Sequence, residues 1–261
     1  MRDIELVTKS VVLGLTMAWL SACGGEDPDA EEPTDTDSEE VVSPSFESRT
    51  RVAVTWAAGG VPPGANRYLA PSSESFESLV GSLGLDFEDG AEWPSEPDDV
   101  RAVFWIMPYA DEAEAAMPSS ADLDWITTYL SGGGRLVVVG DRGFSAIDGY
   151  SGFQSQDGVD ALLLELGVGI RLAADDLVNP QSCGALSHPL SVSSLSQPAG
   201  QSLELVAPAT WLSCNGAAYQ TVSGGELIVV GDTQTFFMET NDEFSTLVLT
   251  EPPVSSESSN R

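Results

Sequence analysis

An α/β domain with a mostly parallel sheet and helices on both faces is the fold class this sequence predicts. Three observations carry the expectation. Near-continuous apolar runs of strand length at 52–56, 100–107, 136–139 and 227–230 are what strands buried on both faces require. Segments with apolar residues at i, i+3, i+4 and i+7 alternate with those runs. Strands that alternate with amphipathic helices are most simply joined as βαβ units, whose crossovers build a parallel sheet.

In chain order, 52–56 reads as the first strand and Pro62-Pro63-Gly64 as a loop. Phe76, Leu79, Val80 and Leu83 form one face of a helix that Gly84 stops. Residues 86–99 are acidic and Pro-containing, and read as loop. The run 100–107, interrupted only by Arg101, is the most apolar strand and closes at Pro108. Ser119 or Ser120 can cap the next helix, with Asp122 and Asp124 in its positive first turn and Leu123, Ile126 and Leu130 inward. Gly132-Gly133-Gly134 ends it, strand 136–139 follows, and Val159, Leu162, Leu163 and Leu166 mark a helix stopped at Gly167. Residues 169–172 read as a strand. Residues 179–220 are rich in Ser, Pro and Gly and read as an irregular or β-rich insertion, with 203–206 and 218–222 as antiparallel edge strands. Strand 227–230 is the last, and Asn241 can cap a final helix carrying Phe244, Leu247 and Val248. Val138-Val139-Gly140-Asp141 is echoed by Val229-Val230-Gly231-Asp232.

The chain has 261 residues, 41 acids against 10 bases, and a formal net charge of −31. Its single Lys is Lys9. Phosphate binding needs clustered Lys and Arg, so nucleic acid is excluded as a partner class. The acidity reads first as solubility through a negative surface, and otherwise as attraction of cations. Residues 26–50 hold ten acids and one base, with few large apolar side chains, so they read as an extended acidic tether. A domain over 51–250 and a polar tail over 251–261 complete the organisation.

The N-terminus has the layout of an export signal: Arg2 and Lys9, an apolar run over 11–20 too short to span a bilayer, then small residues. Leu20-Ser21-Ala22-Cys23 resembles the lipobox of bacterial lipoproteins. The resemblance implies cleavage of a signal peptide over 1–22 and lipidation of Cys23, palmitate included. It implies a membrane partner through the N-terminal lipid, and a place in the cell envelope. Gly24, where an inner-membrane retention aspartate would stand, points to the outer membrane. Two cysteines then remain, Cys183 and Cys214; in an exported domain they are a natural disulfide pair. It would close a loop of about 30 residues, worth roughly 3–4 kcal/mol.

Helix, triple glycine, the strand Arg135-Leu136-Val137-Val138-Val139-Gly140-Asp141 and a Leu-rich helix ending Leu166-Gly167 resemble the class I glutamine amidotransferase-like superfamily. Ser187-His188-Pro189-Leu190 and the Gly231-Asp232 strand end are similar to its uncharacterised secreted branch, related to domains beside ABC-type transport and gliding proteins. The resemblance implies a flavodoxin-like parallel sheet, here with the disulfide-tied insertion. Catalytic members carry a Cys in a Gly-x-Cys-x-Gly elbow and a His-x-Glu pair. The corresponding turn here is Gly140-Asp141-Arg142-Gly143, and His188 is followed by Pro189 and Leu190. A thiol nucleophile without its base is inactive, so the resemblance implies a catalytically degenerate domain with no cofactor.

Asp141 and Asp232 are the candidate ligand residues, because each follows a buried strand at the carboxyl edge where open parallel sheets bind ligands. Two carboxylates there can hold a divalent cation or work as acid and base, or simply cap the next turn. Asp175-Asp176 reads as further ligands or as solvated loop. His188 reads as a general base or as a structural residue of the insertion. Trp56, Trp93, Trp105, Trp125 and Trp211 read as glycan-binding rings or as core, with Trp93 and Trp211 the better surface candidates. No Gly-x-Ser-x-Gly, His-Glu-x-x-His, Walker or Gly-x-Gly-x-x-Gly motif occurs, and no metal site is expected. The expected role is a non-catalytic envelope module that binds a protein or a glycan. The alternatives are a hydrolase or metal-dependent enzyme using the strand-end carboxylates, and an accessory subunit of a transport or gliding complex.

Overall fold

The computed structural model describes residues 44–58, 60, 72–106, 118–140, 156–176, 186–193, 195–196, 201–214, 216–232, 234–237 and 241–254. All belong to the unit Val42–Arg261. Nine strands and five α-helices lie among them: β1 Arg51–Thr55, α1 Glu74–Ser82, β2 Asp86–Gly90, β3 Val100–Ile106, α2 Ser120–Ser131, β4 Arg135–Val139, α3 Gln156–Glu165, β5 Ile170–Asp176, β6 Gln201–Leu205, β7 Thr210–Ser213, β8 Ala217–Val222, β9 Gly225–Val230, α4 Gln234–Phe237 and α5 Asp242–Thr250. Seven strands form one sheet in the order β2-β1-β3-β4-β9-β8-β7, while β5 and β6 pair separately. The ladders from β2 to β9 are parallel; β8 and β7 continue the sheet antiparallel. The α/β class with a mostly parallel sheet is therefore present.

The continuous apolar runs are explained by double-sided burial. Every residue of β4 and β9 is buried. On one face Phe76, Phe104, Phe236 and Phe244 interlock, with Phe76 edge-on to Phe104 at 4.8 Å. On the other, Trp105, Ile126, Tyr129, Leu130, Leu162 and Leu163 pack against Leu136 and Val138. Ser119 caps α2 through a box in which its hydroxyl accepts the Asp122 N–H and the Asp122 carboxylate accepts the Ser119 N–H. Gly133, at φ +80°, turns the chain out of the helix.

Several expectations are corrected. Residues 86–90, read as loop, form the edge strand β2: each acidic side chain there leaves the backbone free to pair with β1. The segment expected as tether up to Thr50 is packed from Phe46, and Phe46 and Arg49 are buried, so the domain starts before Arg51. Strand 170–176 pairs with 201–205 and not with the main sheet. Residues 217–222 lie inside the sheet and not at its edge, because β7, unseen in the polar composition of 179–220, continues it. Asn241 stands at the start of α5 without capping it; its amide instead bridges the Ser196 N–H (2.8 Å) and C=O (2.9 Å).

The amino edge of the sheet is an arginine layer. Arg135 and Glu226 are register partners at the first turns of β4 and β9, fully buried, and joined through Arg135 Nε at 2.6 Å and by a second bond from the same guanidinium. Arg135 also donates to Val248 O, Arg101 to Leu249 O at 3.2 Å, and Arg49 to Gly132 O. Those carbonyls are the unpaired ends of α5 and α2, whose last turns carry no basic residue. Phe46 lies under the Arg135 and Arg101 guanidiniums at 4.5 and 5.1 Å. The Tyr129 hydroxyl accepts the Arg135 N–H at 3.1 Å, and burial pushes its acidity far below that of an ordinary phenol. Gly225 completes the layer, since a Cβ there would stand 2.4 Å from Leu130 O.

Removing one partner of a fully buried pair strands the other charge. Glu226→Gln should therefore cost about 3–5 kcal/mol in denaturant unfolding, and Arg135→Met with Glu226→Leu together should cost clearly less than the single change. Equal losses for the single and the double variant would show that the pair is not what the amino edge depends on.

Candidate functional site

The parallel strands run in the order β2-β1-β3-β4-β9, so the chain leaves β1 toward β2 on one side and enters β3 on the other. Ligands of open parallel sheets sit outside the carboxyl ends at such a reversal. The backbones there are in contact: a Cβ on Gly60 would lie 2.4 Å from Ile106 O and 2.7 Å from Trp56 Cα. Thr55 ends β1 with its hydroxyl donating to Glu92 O at 3.0 Å and accepting the Ala57 N–H at 3.0 Å.

Farther along the same edge, β4 and β9 end level, with Val139 opposite Val230 and the Gly140 N–H donating to Val230 O at 2.7 Å. Asp232 follows β9, is 0 % exposed, and its carbonyl accepts the Thr235 N–H at 3.1 Å at the start of α4. Asp141 and Cys183 lie outside the described residues, as does Cys23. Cys214, just past β7, is buried. Asp175 and Asp176 belong to β5. No group of three or more His, Cys, Asp or Glu side chains is gathered for a metal among the described residues, and none of their helices is long and apolar enough to cross a membrane.

His188 stands elsewhere. Its ring packs on Tyr219 at 4.2 Å between centroids, and its Nδ1 accepts the Leu190 N–H at 3.2 Å. Tyr219 is the register partner of Ile228, four residues before Asp232, which is roughly 13 Å along an extended chain. The Tyr219 hydroxyl meets Thr221 Oγ1 at 2.8 Å, and Thr221 is opposite Glu226. The charges that reach His188 are accordingly Glu226 and Arg135, at the amino edge. The structure thus separates His188 from Asp232. Burial lowers the His188 pKa, the Glu226 charge raises it and Arg135 lowers it again, with a net fall. Nδ1 acts as an acceptor, so Nε2 carries the proton of the neutral ring; it is enclosed without a partner, as is Ser191 Oγ.

The tryptophans are mostly architectural. Trp93 stacks on Trp125 at 4.8 Å, Trp125 on Tyr129 at 5.1 Å, and Trp93 leans on Trp105 at 6.0 Å. All three indoles donate inward, Trp93 to Asp122 at 2.6 Å, Trp105 to Ala57 O and Trp125 to Pro94 O. Burial pushes the Asp122 carboxyl up, but bonds from Ser119 and Trp93 outweigh it and hold the pKa below its usual range. Trp211 is half-buried against the core. Trp93 and Trp211, the better surface candidates, are both half-buried, whereas Trp105 is core. What sequence reasoning missed was the arginine layer. Its signal was present: the echoed strands begin with Arg135 and Glu226 at the same offset from their aspartates.

No family model matches the chain, and no curated protein does. Among solved structures, the mmIFT52 N-terminal domain is 16% identical, with a TM-score of 0.52 over 78% of this chain and 99% of that one. The cytoplasmic protein STM1381 from Salmonella typhimurium LT2 is 14% identical, with a TM-score of 0.49 over 77% and 98%. A thua-like protein from Bacteroides uniformis is 12% identical, with a TM-score of 0.45 over 78% and 93%. At such identities the likeness to the first is one of fold alone.

Because the folded-state pKa of His188 is lowered, the unfolded chain binds the extra proton first as pH falls. The His188 contribution should be intact above the unfolded value of about 6.5 and be lost as pH drops through it toward the folded value. His188→Asn keeps an acceptor for the Leu190 N–H, so its unfolding free energy should fall less than that of the parent between neutral and mildly acidic pH. Parallel pH profiles would contradict this placement of the only histidine.

Proposed function

We propose that the chain is a lipid-anchored envelope protein whose domain is a flavodoxin-like, class I glutamine amidotransferase-like fold, acting as a non-catalytic binding or scaffold module. The observation that carries the non-catalytic part is the separation of His188 from Asp232: the one imidazole is bonded to its own loop and lies toward the opposite end of β9. An acid–base or nucleophile–base pair needs hydrogen-bond reach, and these two groups lack it. The strand order β2-β1-β3-β4-β9 with helices on both faces supports the fold assignment. The anchor rests on the lipobox at Cys23, and the acidic segment before Phe46 would hold the domain away from the membrane. A Cys183–Cys214 disulfide would tie the insertion to the end of β7, in keeping with export; outer-membrane placement follows from Gly24. An accessory role beside a transport or gliding complex is the same module with a larger partner.

In a bacterial host, the parent chain should incorporate labelled palmitate and sediment with membranes, and Cys23→Ser should do neither. Equal partition of the two without label would remove the anchor from the proposal. The catalytic rival, in which Asp232 serves a divalent cation, is tested separately. Magnesium, calcium, manganese and zinc should each leave the thermal midpoint of the parent unchanged. A rise with any of them that Asp232→Asn abolishes would put the rival first.

A further inference from the structure

The seven-stranded sheet has two edges, and they are finished differently. At β7 the Val192 N–H donates to Leu212 O at 3.0 Å, so a segment that precedes the strand in the chain covers that edge. At β2 no strand or loop does so among the described residues. The Asp86 N–H donates to Thr50 O at 2.9 Å and Gly90 O accepts the Trp56 N–H at 3.1 Å, so these residues turn their backbone toward β1. By alternation, the N–H and C=O of Phe87 and Asp89 point outward. A row of unpaired backbone groups is a template for another strand.

The side chains around it select what can dock. Two shallow depressions flank β2, one of about 450 Å³ against α1 and one of about 420 Å³ toward Trp93. Their carboxylates are Glu74, Glu77 and Asp86 in the first and Glu88, Asp89 and Glu92 in the second; of these Glu88 is already paired with Arg51 at 3.0 Å, and the other five face no Lys or Arg in either lining. Phe87, half-buried and edge-on to Phe76 at 6.3 Å, and Trp93 are the apolar surfaces beside them. A second copy of β2 would bring like charges together. A Lys- or Arg-bearing strand meets complementary charge on both faces.

We propose that the open edge of β2 is a strand-addition site for an extended basic segment of another protein, in which Lys or Arg alternates with apolar residues. This rests on the binding-module reading and names its partner class. Main-chain bonds to Phe87 and Asp89 supply the pairing, and the flanking carboxylates supply the preference for basic sequence.

The test uses the full chain with a short peptide alternating Lys and Val, and a control peptide alternating Glu and Val. The Lys peptide should bind, protect the Phe87 and Asp89 amides from exchange, and weaken as salt rises; the Glu peptide should not bind. Asp89→Pro removes an outward N–H that the fold does not use, and proline is tolerated on edge strands. It should weaken the Lys peptide by about tenfold or more. Asp86→Lys with Asp89→Lys should weaken the Lys peptide and narrow its margin over the Glu peptide, and decides the matter if the proline variant does not fold. Unchanged affinity in both variants would overturn the edge site while leaving a binding module whose surface lies elsewhere. Absence of Lys-peptide binding, or self-association through β2, would also overturn it. Failure of the module reading itself would show instead as the cation response at Asp232.

Discussion

Arg135 and Glu226 meet at the first turns of the two strands in the middle of the sheet, with neither side chain reaching water. Ions so placed are tolerable only when their remaining hydrogen-bonding capacity is filled. That requirement organises the amino end of the molecule. The guanidinium needs a further acceptor and finds it at Val248 O, which brings the end of α5 down; the second Glu226 oxygen accepts the Val254 N–H at 3.1 Å, which holds the chain beyond the helix. Tyr129 satisfies the Arg135 backbone, and with it α2 is seated. Arg101 adds a second bond to the end of α5, Arg49 does the same for the end of α2, and Phe46 closes the layer from below.

The result is a domain with two unlike ends. At the amino edge every cation is spent on carbonyls or carboxylates of the fold itself. Of the basic residues, Arg51 shows the same use at the periphery, forked between Glu88 at 3.0 Å and Asp99 at 2.6 Å, with its pKa raised mainly by the Asp99 bond. At the carboxyl edge, by contrast, β4 runs into Gly140 and β9 into Gly231 and the buried Asp232, and the link from β2 to β3 carries no long helix: Trp93 fills that space by stacking on Trp125. Among the described residues that arrangement leaves β2 as an uncovered, negatively charged margin. Charge on an edge strand ordinarily prevents self-pairing; here it also restricts which foreign strand can be accepted.

How legible this was depended on which force decided each feature. The central strands were plain, because burial on both faces writes itself as an unbroken apolar run, and the helices were plain at Ser119, Gly84 and Gly167, where caps and stops act locally. The edge strand β2 was hidden: Asp86-Phe87-Glu88-Asp89-Gly90 has loop composition, and only its pairing with β1 makes it a strand. The same holds for β7. The echo of Arg135–Asp141 in Glu226–Asp232 was visible as a repeat of sequence, yet its meaning, two adjacent parallel strands in matching register with opposite charges face to face, is a fact of pairing. His188 and Asp232 looked equally available to one site, and the strand between them keeps them apart.

By itself the sequence determined the α/β class, the central strands and most helix limits, because periodicity and capping are properties of neighbouring residues. Tertiary structure alone decided which strands are edges, where the domain begins, which arginines are buried and which candidate residues share a place. Those outcomes are set by contacts between residues far apart in the chain, as between Arg135 and Glu226 or Arg49 and Gly132, whose energies depend on a burial that exists only once the sheet and its helices are assembled.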